Sequence, residues 1–280
     1  MSLFKILILA VIQGLAELLP VSSSAHVIVA EKLMGLDPAA PQMTLLLVLL
    51  HTGTMLAVII TFWNAWAEAY FSSAAQFWRM AGYILLATAL TGFVGLGLQA
   101  LIQRGFAGGD ASFEIEQIFG NLHLIAVALA AAGVLIIVAG LMPDRKSPLT
   151  FASAALIGAV QGLTLPFRGF SRSGATISTG MMAGVARQTA EEFSFALAVV
   201  LTPVVLGREA LRYIHAEQGL VSGDVLGFLW PGLLGLLFSF LAGLVALRWL
   251  ANWLSTGRWH LFGVYCLVAA GFTYWVGSWA

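Results

Sequence analysis

Long apolar runs alternate with short polar breaks along most of this chain. Six runs reach the roughly 18 residues that a helix needs to cross the hydrocarbon core of a bilayer. They are about Met43–Trp63, Ala81–Gln103, Asn121–Met142, Phe193–Ile214, Val225–Trp249 and Trp259–Trp279. Two further apolar stretches, residues 3–36 and 150–187, are interrupted in the middle by proline, serine and charge. The pattern predicts six full membrane helices and two broken ones.

The broken stretches match each other. Ala10-Val11-Ile12-Gln13-Gly14-Leu15 aligns with Gly158-Ala159-Val160-Gln161-Gly162-Leu163, an offset of 148 residues. Each continues to a proline (Pro20, Pro166) and then to a hydroxyl-rich cluster, Ser22-Ser23-Ser24-Ala25-His26 or Ser171-Arg172-Ser173-Gly174-Ala175-Thr176. Three full spans follow each. If each broken stretch is a re-entrant hairpin, three crossings per half turn the second half upside down, and broken helices then meet near the midplane. The expectation is an all-α polytopic membrane protein of two inverted-topology repeats, 1–148 and 149–280, forming one membrane domain. Each repeat would hold a broken re-entrant hairpin and three transmembrane helices.

Composition agrees and narrows the function. With 60% hydrophobic and 9% charged residues, a soluble domain is excluded. The net charge of zero gives no footing for nucleic acid. A single cysteine, Cys266, excludes an internal disulfide or a thiolate metal cluster. Gln13, Glu17 and Pro20 interrupt the apolar N-terminal stretch, so it reads as part of the working protein and not as a cleaved signal. Loops with Arg79, Arg145, Lys146, Arg187, Arg248 and Arg258 fall on one side in this scheme, and Asp110, Glu114 and Glu116 on the other. The positive-inside rule makes the basic side cytoplasmic.

Candidate chemistry sits in the two breaks. Gln13 and Glu17 are four residues apart and share a helix face, where a carboxylate and an amide oxygen make a half-site for Mg²⁺ or Ca²⁺. A carboxylate in an apolar segment is costly and is usually there for function. Ser22, Ser23, Ser24 and His26 add the inventory of an activated nucleophile with an acid or base, although membrane serines also bond to their own backbone. Arg168, Ser171, Arg172, Ser173 and Thr176 in the second break, ahead of a helical stretch expected at Ile177–Ala186, form a candidate phosphate cradle. A loop whose arginines pair with Glu191, Glu192 or headgroups is the alternative.

Together these segments resemble the bacterial undecaprenyl-diphosphate phosphatase family, the integral-membrane type linked with bacitracin resistance. Residues Gln13-Gly14-Leu15-Ala16-Glu17-Leu18-Leu19-Pro20-Val21-Ser22-Ser23-Ser24-Ala25-His26 are similar to its first motif and Gly169–Thr176 to its second. Leu50-His51-Thr52-Gly53-Thr54 and Glu192-Phe193-Ser194-Phe195 look like further family segments in the same order. The resemblance implies removal of the terminal phosphate of undecaprenyl diphosphate, a divalent metal, and a site open to the periplasmic side of the inner membrane. It implies Ser23 as nucleophile, His26 as acid or base, Glu17 as metal or acid/base carboxylate with Gln13 as partner, and Arg172, Ser171, Ser173 and Thr176 on phosphate. Expected partners are the lipid substrate, membrane lipids and, as one option, a second copy of the chain.

This chain departs from the family pattern in three places. Gln13 stands where many members have a second Glu. Pro166-Phe167-Arg168-Gly169 is one residue longer than usual, and Tyr265-Cys266 replaces a common Tyr-Arg. Arg168 is the substitute expected for that arginine. A rival class remains at this stage, a lipid flippase or other transporter, which would need the broken helices but not the Glu17–Ser23–His26 cluster.

Overall fold

A computed structural model describes residues 2–37, 41–106, 121–217 and 225–279. Asp110, Glu114 and Glu116 lie outside the described residues. The described residues form ten helices: α1 (Leu3–Leu18), α2 (Ser23–Leu33), α3 (Pro41–Phe71), α4 (Ala74–Phe106), α5 (Leu122–Leu141), α6 (Phe151–Thr164), α7 (Arg172–Met182), α8 (Arg187–Glu217), α9 (Val225–Ser255) and α10 (Trp259–Gly277). Five of these, α3, α4, α5, α9 and α10, are long and apolar enough to cross a membrane. The chain is a multi-pass membrane protein.

The sixth expected span, Phe193–Ile214, lies within α8, which is long enough but not apolar enough for that class. Glu191 and Glu192 precede its apolar stretch, and Arg208, Glu209 and Arg212 follow, leaving only residues 193–207 free of charge. The side chains of Arg208 and Arg212 lie outside the described residues.

Each broken stretch is a pair of short helices. α1 stops where Leu19, extended at φ −70° and ψ 147°, precedes Pro20, because proline disfavours the helical region for the residue before it. α2 starts on Ser22, whose hydroxyl accepts from the Ala25 amide. In the second half, Thr150 and Ser153 form a reciprocal capping box at the start of α6. Ser171 caps α7 by accepting from the Gly174 amide. That helix begins at Arg172, five residues before the expected Ile177, because the serine cap works from the cluster itself.

The halves pack across each other. α1 lies against α9, α6 against α4, and α5 against α10. Small residues allow the close approach: a Cβ on Gly14 would sit 2.6 Å from the Ser239 carbonyl oxygen of α9, and one on Gly162 would sit 2.8 Å from the Thr91 carbonyl oxygen of α4. Thr91 donates to the Gly158 carbonyl at 2.9 Å, and Ser239 donates to the Leu50 carbonyl at 2.9 Å. The interior holds Phe193, Phe195, Trp259 and Ile136 around the two short pairs. Large apolar side chains such as Leu85, Phe93 and Leu96 of α4 face outward, as a lipid-facing surface requires.

Candidate active site

The two breaks touch. The Gly169 amide donates to Ser24 Oγ at 3.2 Å, and Ser173 Oγ donates to the Leu19 carbonyl at 3.4 Å. Gly169 can make this approach because it adopts φ +99°, and a Cβ there would collide with the Ile125 carbonyl of α5. Between the breaks, α3 and α8 lies a cavity of about 390 Å³.

Glu17 is its electrostatic centre. Arg172 Nη2 donates to Oε1 at 2.8 Å; Ser23 Oγ donates to Oε2 at 2.5 Å, and Gln13 Nε2 donates to the same oxygen at 3.2 Å. His51 Nε2, from α3, stands 3.6 Å from Oε2. One carboxylate thus gathers a guanidinium, a hydroxyl, an amide and an imidazole from both halves of the sequence. The bond from Ser23 aims its proton at a carboxylate, the base that a nucleophilic hydroxyl needs beside it. The N-terminal residues of α2 (Ser23, Ser24) and α7 (Arg172, Ser173) line the same cavity. Two helix N-termini and two arginines therefore point positive potential into one space, an arrangement suited to a phosphate group.

Ser22 shapes the first break. It is buried and adopts φ 67° and ψ 96°, a sparsely populated conformation that costs a non-glycine residue about 1–3 kcal/mol. Its hydroxyl meets Ser24 Oγ at 3.2 Å, and its carbonyl lies 2.8 Å from His26 Nδ1.

Of the expected site residues, Gln13, Glu17, Ser23, Arg168, Ser171, Arg172 and Ser173 line the cavity. His26 and Thr176 are not among its lining residues. The His26 ring is held between the Ser22 carbonyl and Tyr265 Oη, the latter 2.8 Å from Nε2, and it stacks on the Tyr265 ring. Thr176 is fully buried; its hydroxyl donates to the Arg172 carbonyl and meets Ser194 Oγ at 2.6 Å, joining α7 to α8. The expectation had no site role for His51 or Glu31, yet both line the cavity. His51 sits inside a long apolar run, and its polarity there was the available signal.

With this geometry in place, comparison with known proteins is decisive. The sequence pattern of the bacitracin resistance protein BacA matches residues 6–272. The chain belongs to the BacA family. It is 58% identical over 275 residues to a curated undecaprenyl-diphosphatase 2 of Acinetobacter baylyi, covering 97% of this chain and 96% of the relative. An undecaprenyl-diphosphatase of Desulfosudis oleivorans is 32% identical over 96% of this chain and 97% of its own length. One from Korarchaeum cryptofilum is 31% identical, with the same two shares. Within this BacA-family chain, Gln13, Glu17 and Ser22–Ser24 of the first break and Arg168 and Ser171–Ser173 of the second line one cavity.

Proposed function

We propose that this protein hydrolyses undecaprenyl diphosphate to undecaprenyl phosphate and inorganic phosphate, returning the lipid carrier to cell-wall synthesis. The observation that carries the reading is the Glu17 hub. A carboxylate activates Ser23 at 2.5 Å, and Arg172, bonded to that same carboxylate at 2.8 Å, stands ready to neutralise a phosphoryl group. Full-length similarity to curated undecaprenyl-diphosphatases supports it.

In this mechanism the prenyl tail lies among the spans and the diphosphate occupies the cavity. Arg172, Arg168, Ser171 and Ser173 hold its oxygens. Ser23 Oγ attacks the terminal phosphorus; an O–P bond forms, the anhydride P–O bond breaks, and undecaprenyl phosphate departs with the bridging oxygen. The serine proton passes to Glu17 and from there to the departing phosphate. Water then attacks the phosphoserine while Glu17 takes its proton; an O–P bond forms, the Ser23 Oγ–P bond breaks, phosphate leaves, and Glu17 returns the proton to Ser23 Oγ. Most of the acceleration comes from positioning and charge neutralisation. His26 holds the Ser22 turn in shape and Thr176 anchors α7; both are positioning residues in this reading.

A divalent cation, Mg²⁺ or Ca²⁺, suits this cavity. Its walls carry carboxylate and hydroxyl oxygens, and one buried carboxylate oxygen there, Glu31 Oε1, has no hydrogen-bond partner among the described residues. The family resemblance implies Gln13 and Glu17 as residues that would hold such an ion, although both Glu17 oxygens already accept from Arg172, Ser23 and Gln13; a bound ion would supply further neutralisation of the diphosphate.

The architecture proposed is a pair of inverted repeats, supported by the matched breaks and by the crossed packing of α1 on α9 and α6 on α4. The cavity is proposed to face the periplasm from the inner membrane. In support, basic Arg187 starts α8 about 22 Å along the helix from Thr202 at the cavity, and Arg145 lies beside Gly184 at the same end.

The test is phosphate release from a polyprenyl diphosphate by purified protein in detergent, with Mg²⁺, Ca²⁺ or chelator, beside Glu17→Ala and Arg172→Ala. Release that Glu17→Ala abolishes and Arg172→Ala lowers about a hundredfold or more is expected; no release by folded protein in any of these conditions would sink the reading. Ser23→Ala retaining more than a few per cent of activity would replace serine attack by direct attack of water.

A further inference from the structure

Glu31 takes no part in the steps above. It lies on α2 eight residues beyond Ser23, in the cavity that also holds Glu17, Arg168 and Arg172. The residue is 1% exposed, and Oε1 meets no hydrogen-bond partner among the described residues. The charges that act on it are Arg168 and Asp37. A carboxylate withheld from water with an unused oxygen carries a desolvation cost of several kcal/mol unless a cation or donor meets it.

Glu17 differs in this respect. Both of its oxygens already accept from protein donors, Arg172 on one side and Ser23 with Gln13 on the other, and His51 stands 3.6 Å away. A divalent ion placed there would share the carboxylate with a guanidinium at 2.8 Å, whose like charge repels it. Hard cations of this class take oxygen ligands, and Mg²⁺ commonly uses only one or two protein carboxylates together with substrate phosphates and water.

Position along the helix gives the second constraint. Eight residues of helix separate the Ser23 and Glu31 backbones by about 12 Å, and helical side chains lean toward the N-terminus, so the Glu31 carboxylate leans back toward Ser23. At that separation the carboxylate is set apart from the phosphorus under attack at Ser23 yet lines the same cavity, with the Arg168 charge acting on it, a position suited to the second phosphate of a diphosphate.

We infer that Glu31 is a carboxylate ligand for a divalent cation that seats the lipid-proximal phosphate of the substrate, beside Arg168. The Glu17–Ser23–Arg172 group handles the terminal phosphate. The inference rests on the phosphatase reading for the identity of the substrate. It makes Glu31 and its ion the feature that recognises a diphosphate by its second phosphate.

The experiment uses the full-length protein in detergent and Mn²⁺ as the probe, its binding followed by the loss of the free-ion electron paramagnetic resonance signal. Glu31→Gln is expected to weaken Mn²⁺ binding at least tenfold and to raise the Mg²⁺ concentration for half-maximal phosphate release by a similar factor. Glu17→Gln should keep Mn²⁺ binding within about threefold of the parent while abolishing release. Glu31→Asp, which keeps a shorter carboxylate, should recover part of the binding lost in Glu31→Gln and covers the case in which that variant does not fold. Unchanged Mn²⁺ binding in Glu31→Gln overturns the inference, as does binding lost in Glu17→Gln and kept in Glu31→Gln. Failure of the parent protein to release phosphate would instead remove the phosphatase reading, and the Mn²⁺ comparison would still decide whether Glu31 holds the ion.

Discussion

Glu17 shows why a carboxylate inside an apolar helix is worth its desolvation cost: each partner it holds is one that phosphoryl transfer uses. Arg172→Ala removes a preorganised cation and leaves Glu17 short of its strongest partner, so kcat/KM for phosphate release should fall about 10²–10³-fold. Arg172→Lys should recover only a minor share, because a point charge cannot replace the guanidinium fork. Tyr265→Phe deletes one hydrogen bond to His26 (Nε2 to Oη, 2.8 Å) while leaving the stacked ring. A net bond of about 1 kcal/mol predicts a loss of roughly fivefold. If His26 works by holding the Ser22 turn, that loss should appear in kcat with KM little changed, and the shape of the pH–rate profile should not move. At this scale Gln13, Glu17, Ser23 and Arg172 were legible because polar groups in apolar segments stand out. Glu31 was not, since next to Lys32 at the end of a short helix it reads as a solvated charge. Thr176 carried the same signal as its neighbours; only the start of α7 at Arg172 turns its hydroxyl toward Ser194.

Glu17, Ser23 and Arg172 owe their places to helices that end or begin beside the cavity, and those ends are fixed by close packing of the helices that carry them. Gly14 lies between Gln13 and Glu17 on α1, with a Cβ position 2.6 Å from both the Ser239 carbonyl oxygen and Ala242 Cβ. Gly14→Ala should therefore push α1 off α9 and destabilise the protein by about 1–3 kcal/mol. The expected readouts are a lower apparent Tm in detergent and reduced kcat/KM. Gly92→Ala, in α4 with nothing within 4 Å of its Cβ position, should leave Tm unchanged or raise it slightly. Equal losses in both variants would mean that helix contact at Gly14 is not what sets the position of Glu17. The expected long helices were found because hydropathy reports length well. α8 resisted this reading because charge at both ends of its apolar stretch places it between a span and a buried interior helix. The early start of α7 was missed because a serine cap competes with backbone flexibility in a way hydropathy does not record.

The whole molecule interlocks its sequence halves. α1 relies on α9 to cover its small-residue face, α6 relies on α4, and α5 and α10 close on each other through Gly133 and Gly263, where a Cβ on either would crowd the opposing backbone. The hub needs both halves too, because Glu17 without Arg172 is a largely enclosed carboxylate lacking its cation, which is costly. Neither half should then hold a native structure alone. Residues 1–148 and 149–280 expressed singly should be protease-sensitive and release no phosphate. Expressed together as two chains, they should co-purify through a tag on one half and recover phosphate release, because the cut falls in the connection between α5 and α6, away from the cavity. The reconstituted pair should lose that release again when Glu17→Ala is carried by one chain or Arg172→Ala by the other. A single half that resists protease and unfolds cooperatively by itself would show that the crossed packing is not what holds the two breaks together, and the site would then have to be ordered within one half before the other joins.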